Sequence, residues 1–173
     1  MSVREAIVAD ARVTSALRFE TPHERSGLGT VWQVLRLMLV TDAFAAQVLY
    51  RLSAAVPFLA PVLHRLSLGL GGVSIGAPVT IDPGVYLIHG QVVIDGMTRI
   101  GSGTQIGPFV TIGVRGADLR GPAIGRDVFV GTGAKVLGGI VVGDGARIGA
   151  NAVVIDDVPA GATVVGAPAR PVA

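Results

Sequence analysis

The chain has 173 residues, half of them hydrophobic and 15% charged, enough for one cored domain with a shorter appended segment. It contains no cysteine, which excludes disulfides, thiolate metal ligands and a thiol nucleophile together, so any group transfer must use another nucleophile or none from the protein. A formal net charge of +2 is too small to argue for nucleic acid, although it suits a phosphorylated ligand.

The first ten residues lack the basic-then-apolar pattern of a signal peptide. Residues 2–20 read as a helix and residues 21–29, with His23, as a loop. Residues 31–40 and 43–56 carry apolar side chains at spacings of three and four, the mark of helices, and Thr41 with Asp42 reads as a helix start. Pro57 and Pro61 punctuate the next stretch, and Gly69, Gly71 and Gly72 end it. The apolar region 31–70 is interrupted by Arg36, Asp42, Arg51, His64 and Arg65, so no run approaches the roughly 18 to 20 apolar residues of a membrane helix. A soluble, cytoplasmic protein is expected. Arg51, His64 and Arg65 among leucines would also suit peripheral contact with a membrane surface. The plainer expectation is that these helices cap the C-terminal part of the chain or pack between subunits, because open sheet edges must be covered.

From residue 75 to residue 159 the pattern changes to a six-residue beat: IGAPVT, IDPGVY, LIHGQV, IDGMTR, IGSGTQ, IGPFVT, IGVRGA, then IGRDVF, VGTGAK, VLGGIV, VGDGAR, IGANAV and VIDDVP. Units this short cannot bury anything alone, so they must wind into a solenoid whose stacked coils share a core. Ile94, Ile100, Ile106, Ile112, Ile124, Val130, Val136, Val142 and Ile148 are expected to point inward, with glycines relaxing the corners. Asp82 and Asp95 take glycine's corner position and are expected to do turn chemistry. Three hexads per coil put Leu137 and Ile155, eighteen residues apart, on one corner. The same period puts Val114, Thr132 and Ala150 in one column, a groove for an extended ligand that bonds to peptide groups. The beat breaks twice, at His89 and between Val114 and Ala123, and function is expected at those breaks.

The LIHG segment around His89, TIGVRGAD from Thr111, the run IGRDVFVGTGAKVLGGIVVGDGARIGANAVV from Ile124 and the closing VVGAPAR resemble the hexapeptide-repeat acyltransferases, and within them the serine acetyltransferase branch. The resemblance implies a mainly β fold: a left-handed parallel β-helix over residues 72–173 behind an N-terminal helical segment, residues 1–71. It implies acetyl-CoA as donor and a homotrimer with active sites between neighbouring subunits; with one histidine in the repeats and no cysteine, no metal is expected. His89 matches the family's catalytic base, a task for which imidazole is suited because it exchanges protons near neutrality. Val114, Thr132 and Ala150 match positions whose main chain contacts the pantetheine arm, and Arg147 and Arg170 match basic positions near the CoA nucleotide. Lys135 is a further candidate for that contact, although it reads more readily as a solubilising surface lysine.

Departures from that branch bear on the acceptor. Ser74 stands where the family places the carboxylate that orients the histidine, and is the candidate hydrogen-bond partner in its stead. Ile88 replaces an acidic residue and Gly121 a second histidine, both removing polar contacts that serine would use, while Arg120 aligns with a substrate-side arginine. The segment TIGVRGADLRGP resembles instead the colanic acid type of exopolysaccharide acetyltransferase. The expected function is therefore acetyl transfer to a sugar hydroxyl or another small alcohol, with serine O-acetylation for cysteine biosynthesis as the alternative and a β-helical scaffold as the non-enzymatic one. A carbonic anhydrase of this architecture is disfavoured, since its metal needs several histidines and only His89 lies in the repeats.

Overall fold

The computed structural model describes residues 1–19 and 27–172; His23 and most of the expected loop 21–29 lie outside the described residues. Helix α1 (Val3–Leu17) starts at Ser2, whose hydroxyl accepts the Glu5 N–H while the Glu5 carboxylate accepts the Ser2 N–H, a reciprocal cap. Helices α2 (Leu28–Val40) and α3 (Asp42–Ala55) are separated by the single extended residue Thr41, and its hydroxyl donates back to the Leu37 carbonyl at 2.8 Å. After a short 3-10 turn, α4 (Ala60–Gly71) carries Pro61 in its first turn and stops at Gly72, whose φ of +62° favours glycine. No helix among the described residues is long and apolar enough to cross a membrane.

The hexads form a three-sided parallel β-helix. Strands are numbered β1 to β15 in chain order. The first face stacks β1 (Ser74–Ile75), β4 (Val93–Ile94), β7 (Thr111–Gly113), β10 (Lys135–Leu137) and β13 (Val153–Val154). The second stacks β2 (Thr80–Ile81), β5 (Arg99–Ile100), β8 (Ala123–Ile124) and β11 (Val141–Val142). The third stacks β3 (Tyr86–Leu87), β6 (Gln105–Ile106), β9 (Phe129–Val130), β12 (Arg147–Ile148) and β14 (Thr163–Val165), on which β15 (Arg170–Pro171) folds back antiparallel.

Register makes the core. On the first face Ile75, Ile94, Ile112, Val136 and Val154 are paired in one file. Ile81, Ile100, Ile124 and Val142 form the second file, and Leu87, Ile106, Val130, Ile148 and Val164 the third. All are buried. Each such side chain contributes about 1.5–3 kcal/mol on leaving water, so the aliphatic beat holds the prism together. Leu137 pairs one step beyond Val136 with Val154, which stacks it on Ile155 as the period predicts. The Asp95 carboxylate accepts the Gly96 N–H at 2.7 Å, the expected turn chemistry.

Polar anchors hold the helical segment on the first coil. Arg51 is buried, not presented to a membrane as its leucine-rich surroundings suggested. Its guanidinium pairs with Asp10 at 2.9 Å and donates to the Ile81 and Asp82 carbonyls, and Asp10 in turn accepts the Gly84 N–H at 2.7 Å. Burial pushes the Asp10 carboxyl up from its ordinary range, and the bonds from Arg51 and Gly84 oppose that. Gln47 donates to the Val85 carbonyl, Tyr50 to that of Val79 and Ser67 to that of Val73. At the other end the tail crosses two open faces: Val153 N–H reaches the Gly166 carbonyl, Ala169 N–H the Val153 carbonyl and Val172 N–H the Thr163 carbonyl.

Candidate active site

The slip at His89 has a local cause. Leu87 pairs with Ile106 and Ile94 with Ile112, so the connection from β3 to β4 is one residue longer than the connection from β6 to β7. The extra residue lies between Ile88 and Gln91, because Gln91, with a φ of +61°, takes the corner position that Phe109, also at +61°, takes in the next coil; the Gln91 N–H donates to the Gly71 carbonyl at 2.8 Å. Gly90 has no room for a side chain, because a Cβ there would run into the Gly71 carbonyl, and a Cβ on Gly71 would run into that of Asp42. The end of α4, the start of α3 and the slip are thus interlocked.

His89 stands on the corner between the third and first faces with its side chain 63% exposed. A carboxylate faces it. Asp42 Oδ1 lies 3.7 Å from His89 Nδ1, Asp42 Oδ2 accepts the Gly90 N–H at 3.0 Å, and Oδ1 also accepts the Ala43 N–H at 2.9 Å. Ser74 makes no hydrogen bond to His89 among the described residues; its N–H goes to the Val92 carbonyl and it pairs with Val93. In the sequence Asp42 is marked only as a helix start. No local pattern links it to a histidine 47 positions on, and the signal lies in tertiary packing. Ile88, half-buried beside His89, donates its N–H to the Ile106 carbonyl.

The second break, residues 114–122, is an exposed excursion between β7 and β8, on the corner between the first and second faces. Arg115 and Asp118 form an antiparallel bridge across it. Arg120 donates from Nε to Asp118 Oδ2 at 2.8 Å and brings Nη2 within 2.7 Å of the same oxygen. Hydrogen bonds from Arg120 hold the Asp118 carboxyl below its ordinary range and raise the guanidinium's own value. The base of the excursion is fixed by Met97 N–H to the Leu119 carbonyl and Arg99 N–H to the Pro122 carbonyl, and Gly121 is packed against Thr98. Within one chain, Arg120 and Gly121 therefore occupy a different corner from Ile88 and His89.

The expected column of Val114, Thr132 and Ala150 is corrected in one member. Thr132 and Ala150 do stack, following the pairing of Val130 with Ile148, and the Asn151 N–H donates to the Thr132 carbonyl at 2.8 Å. The residue stacked on Thr132 in the preceding coil is Pro108, whose carbonyl accepts the Gly133 N–H. Val114 lies next to Gly138 instead, because Gly113 pairs with Leu137. The excursion lengthens its coil: Ile112 pairs with Val136, 24 residues on, where a regular coil has an 18-residue period. Pro108, Thr132 and Ala150 run along the same corner as His89, with Thr132 and Ala150 exposed. Beside that corner, on the third face, Arg147 lies over the Phe129 ring at 5.1 Å, and Arg170 pairs with Asp156 at 3.2 Å. Lys135 donates to the Phe109 carbonyl at 2.7 Å. No group of three or more metal-ligating side chains occurs among the described residues.

Comparison with known proteins gives this geometry a context. Residues 121–156 match the family described as bacterial transferase hexapeptide (six repeats). The chain is similar to a serine acetyltransferase of Helicobacter pylori strain J99, 42% identical over 149 residues that cover 82% of this chain and 85% of the relative. It is also similar to the crystal structure of Neisseria gonorrhoeae serine acetyltransferase in complex with serine, with 29% identity and a TM-score of 0.76 over 99% of this chain and 69% of that one. A serine acetyltransferase structure in complex with CoA gives 28% identity and a TM-score of 0.80 over 98% and 69% of the two chains. The likeness spans the helical segment and the left-handed parallel β-helix alike.

Proposed function

Because the chain belongs to the serine acetyltransferase family of hexapeptide-repeat acyltransferases, we propose that it transfers the acetyl group of acetyl-CoA to the hydroxyl of serine, with His89 as general base. The observation that carries this reading is the corner on which His89 is exposed, in line with Thr132 and Ala150 and beside Arg147 and Arg170. His89 takes the hydroxyl proton as the acceptor oxygen bonds to the thioester carbonyl carbon. The C–S bond then breaks, and the imidazolium returns the proton to the departing CoA sulfur. Both substrates are held together, so no acyl-protein intermediate is needed. The exposed edge of this corner at Thr132 and Ala150 suits a pantetheine arm. Arg147 and Arg170 suit phosphate, which a guanidinium grips through two bonds.

Arg120 and Gly121 serve the acceptor when a neighbouring copy brings its excursion against the His89 corner, as a trimer would. Arg120 then trades Asp118 for the serine carboxylate. Trp32, Leu35 and Leu39 of α2 and Phe58 and Val62 after α3 are exposed apolar side chains that we assign to contacts between copies rather than to a membrane.

Serine is preferred here to the sugar hydroxyl that the TIGVRGAD segment suggested, a preference supported by the Helicobacter pylori and Synechocystis relatives and the Neisseria gonorrhoeae structure, all named serine acetyltransferases. A sugar or another small alcohol remains the second reading, favoured by the apolar Ile88 and the bare Gly121 beside the proposed acceptor site. Thiol release from acetyl-CoA, measured with serine, homoserine and a panel of sugars, separates the two. Turnover with serine that His89→Ala abolishes is expected. Turnover with sugars alone would overturn the acceptor, and unchanged turnover in His89→Ala would overturn the base.

A further inference from the structure

The carboxylate that orients a catalytic imidazole is absent from position 74, yet a carboxylate faces His89 from another element. We propose that Asp42, at the start of α3, is the positioning residue for His89, so that the helical segment completes the catalytic machinery of the β-helix. This rests on the reading of His89 as the base.

Three observations carry it. Asp42 Oδ1 lies 3.7 Å from the nitrogen of His89 that points away from an acceptor bound at Nε2. The carboxylate is held by backbone on both oxygens, since Oδ1 accepts the Ala43 N–H and Oδ2 accepts the N–H of Gly90, the residue next to His89. Carboxylate and imidazole are therefore registered through a single peptide unit. Finally, the interlock of Gly71 with Gly90 and with the Asp42 backbone leaves no space for α3 to drift from the slip. The alternatives are occupied: Asp10 is buried against Arg51, and Asp95 closes its own turn on Gly96. A separation of 3.7 Å is longer than a hydrogen bond, and such contacts close in the substrate complex. Once closed, Asp42 accepts the Nδ1–H, fixes that tautomer and leaves the Nε2 lone pair directed at the acceptor hydroxyl.

The test uses the full chain and two readouts. Imidazole nitrogen NMR reports the tautomer of His89, assigned by comparison with His89→Gln among the three histidines of the sequence. The wild type is expected to show the Nδ1–H form, and Asp42→Ser, which keeps a short polar side chain in the first turn of α3 but removes the carboxylate, to revert largely to Nε2–H. In the thiol-release assay Asp42→Ser is expected to lower kcat about 10- to 100-fold, less than the 10²- to 10⁴-fold that the general base itself supplies, with the KM for acetyl-CoA unchanged. Asp42→Asn, which keeps an oxygen for the Gly90 N–H, is expected to fall between, and it carries the test if the serine variant does not fold. Ser74→Ala is expected to match the wild type in both readouts. Wild-type tautomer and kcat in the Asp42 variants would overturn the proposal. With His89→Ala inactive, that result would remove Asp42 alone; an active His89→Ala would remove the base reading itself.

Discussion

The two interruptions of the hexad beat differ in length, in anchoring and in what they offer. The slip at His89 adds a single residue, yet it is tied to two helices through the Gly90 and Gln91 N–H groups and has no free volume around Gly90. The excursion at 114–122 adds six residues to its coil and is exposed, with its principal arginine held by a carboxylate two positions away. A short, immobilised break can fix one catalytic atom; a longer, solvated one can adapt to an acceptor and to a neighbouring copy.

The largest effect should come from the rigid break. His89→Ala is expected to lower kcat by about 10²- to 10⁴-fold, the range for loss of a general base, with thermal stability retained because the side chain is mostly solvated; thiol release and a melting curve measure both. Gly90→Ala tests the rigidity itself. A methyl group there meets the Gly71 carbonyl, so the variant should be destabilised by about 1–3 kcal/mol, as overpacking predicts, and should lose activity as His89 moves. Denaturant unfolding together with turnover would show whether the two losses travel together. In the adaptable break, Arg120→Ala is expected to raise the KM for serine about tenfold, the equivalent of one charged hydrogen bond, while the KM for acetyl-CoA stays fixed. Gly116→Ala marks the smallest effect. Its φ of +66° disfavours a side chain, but nothing lies within 4 Å of the added methyl, so about 1 kcal/mol of stability and no activity should be lost. Equal penalties at Gly90 and Gly116 would erase the distinction between the two breaks.

Legibility in the sequence extends to whatever depends on near neighbours. The inward files, the stacking of Leu137 on Ile155 and the turn at Asp95 all come from spacing within one or two coils. Val114 is misplaced when a fixed 18-residue period is carried across an insertion whose length only the strand register shows. Asp42 and Arg51 escape for a different reason: each acts through a partner more than 40 residues away, Asp42 beside His89 and Arg51 against Asp10. Their local surroundings advertise a helix cap and an amphipathic face. A charge can be exposed or buried on the same helical pattern, and only the docking of α3 onto the first coil decides which.

The stacked register also works as a ruler. On the third face β3, which leads into His89, is separated from β12, which carries Arg147, by β6 and β9. Three strand spacings of about 4.8 Å put the two sites roughly 14 Å apart along the prism axis. That span is a whole number of coils, indifferent to which aliphatic residues fill them. Inserting one 18-residue coil between β9 and β12 would move the arginine away from the imidazole by about 5 Å in a single step, leaving each end of the molecule as it was. The length of donor the corner can accommodate is thus counted in turns of backbone.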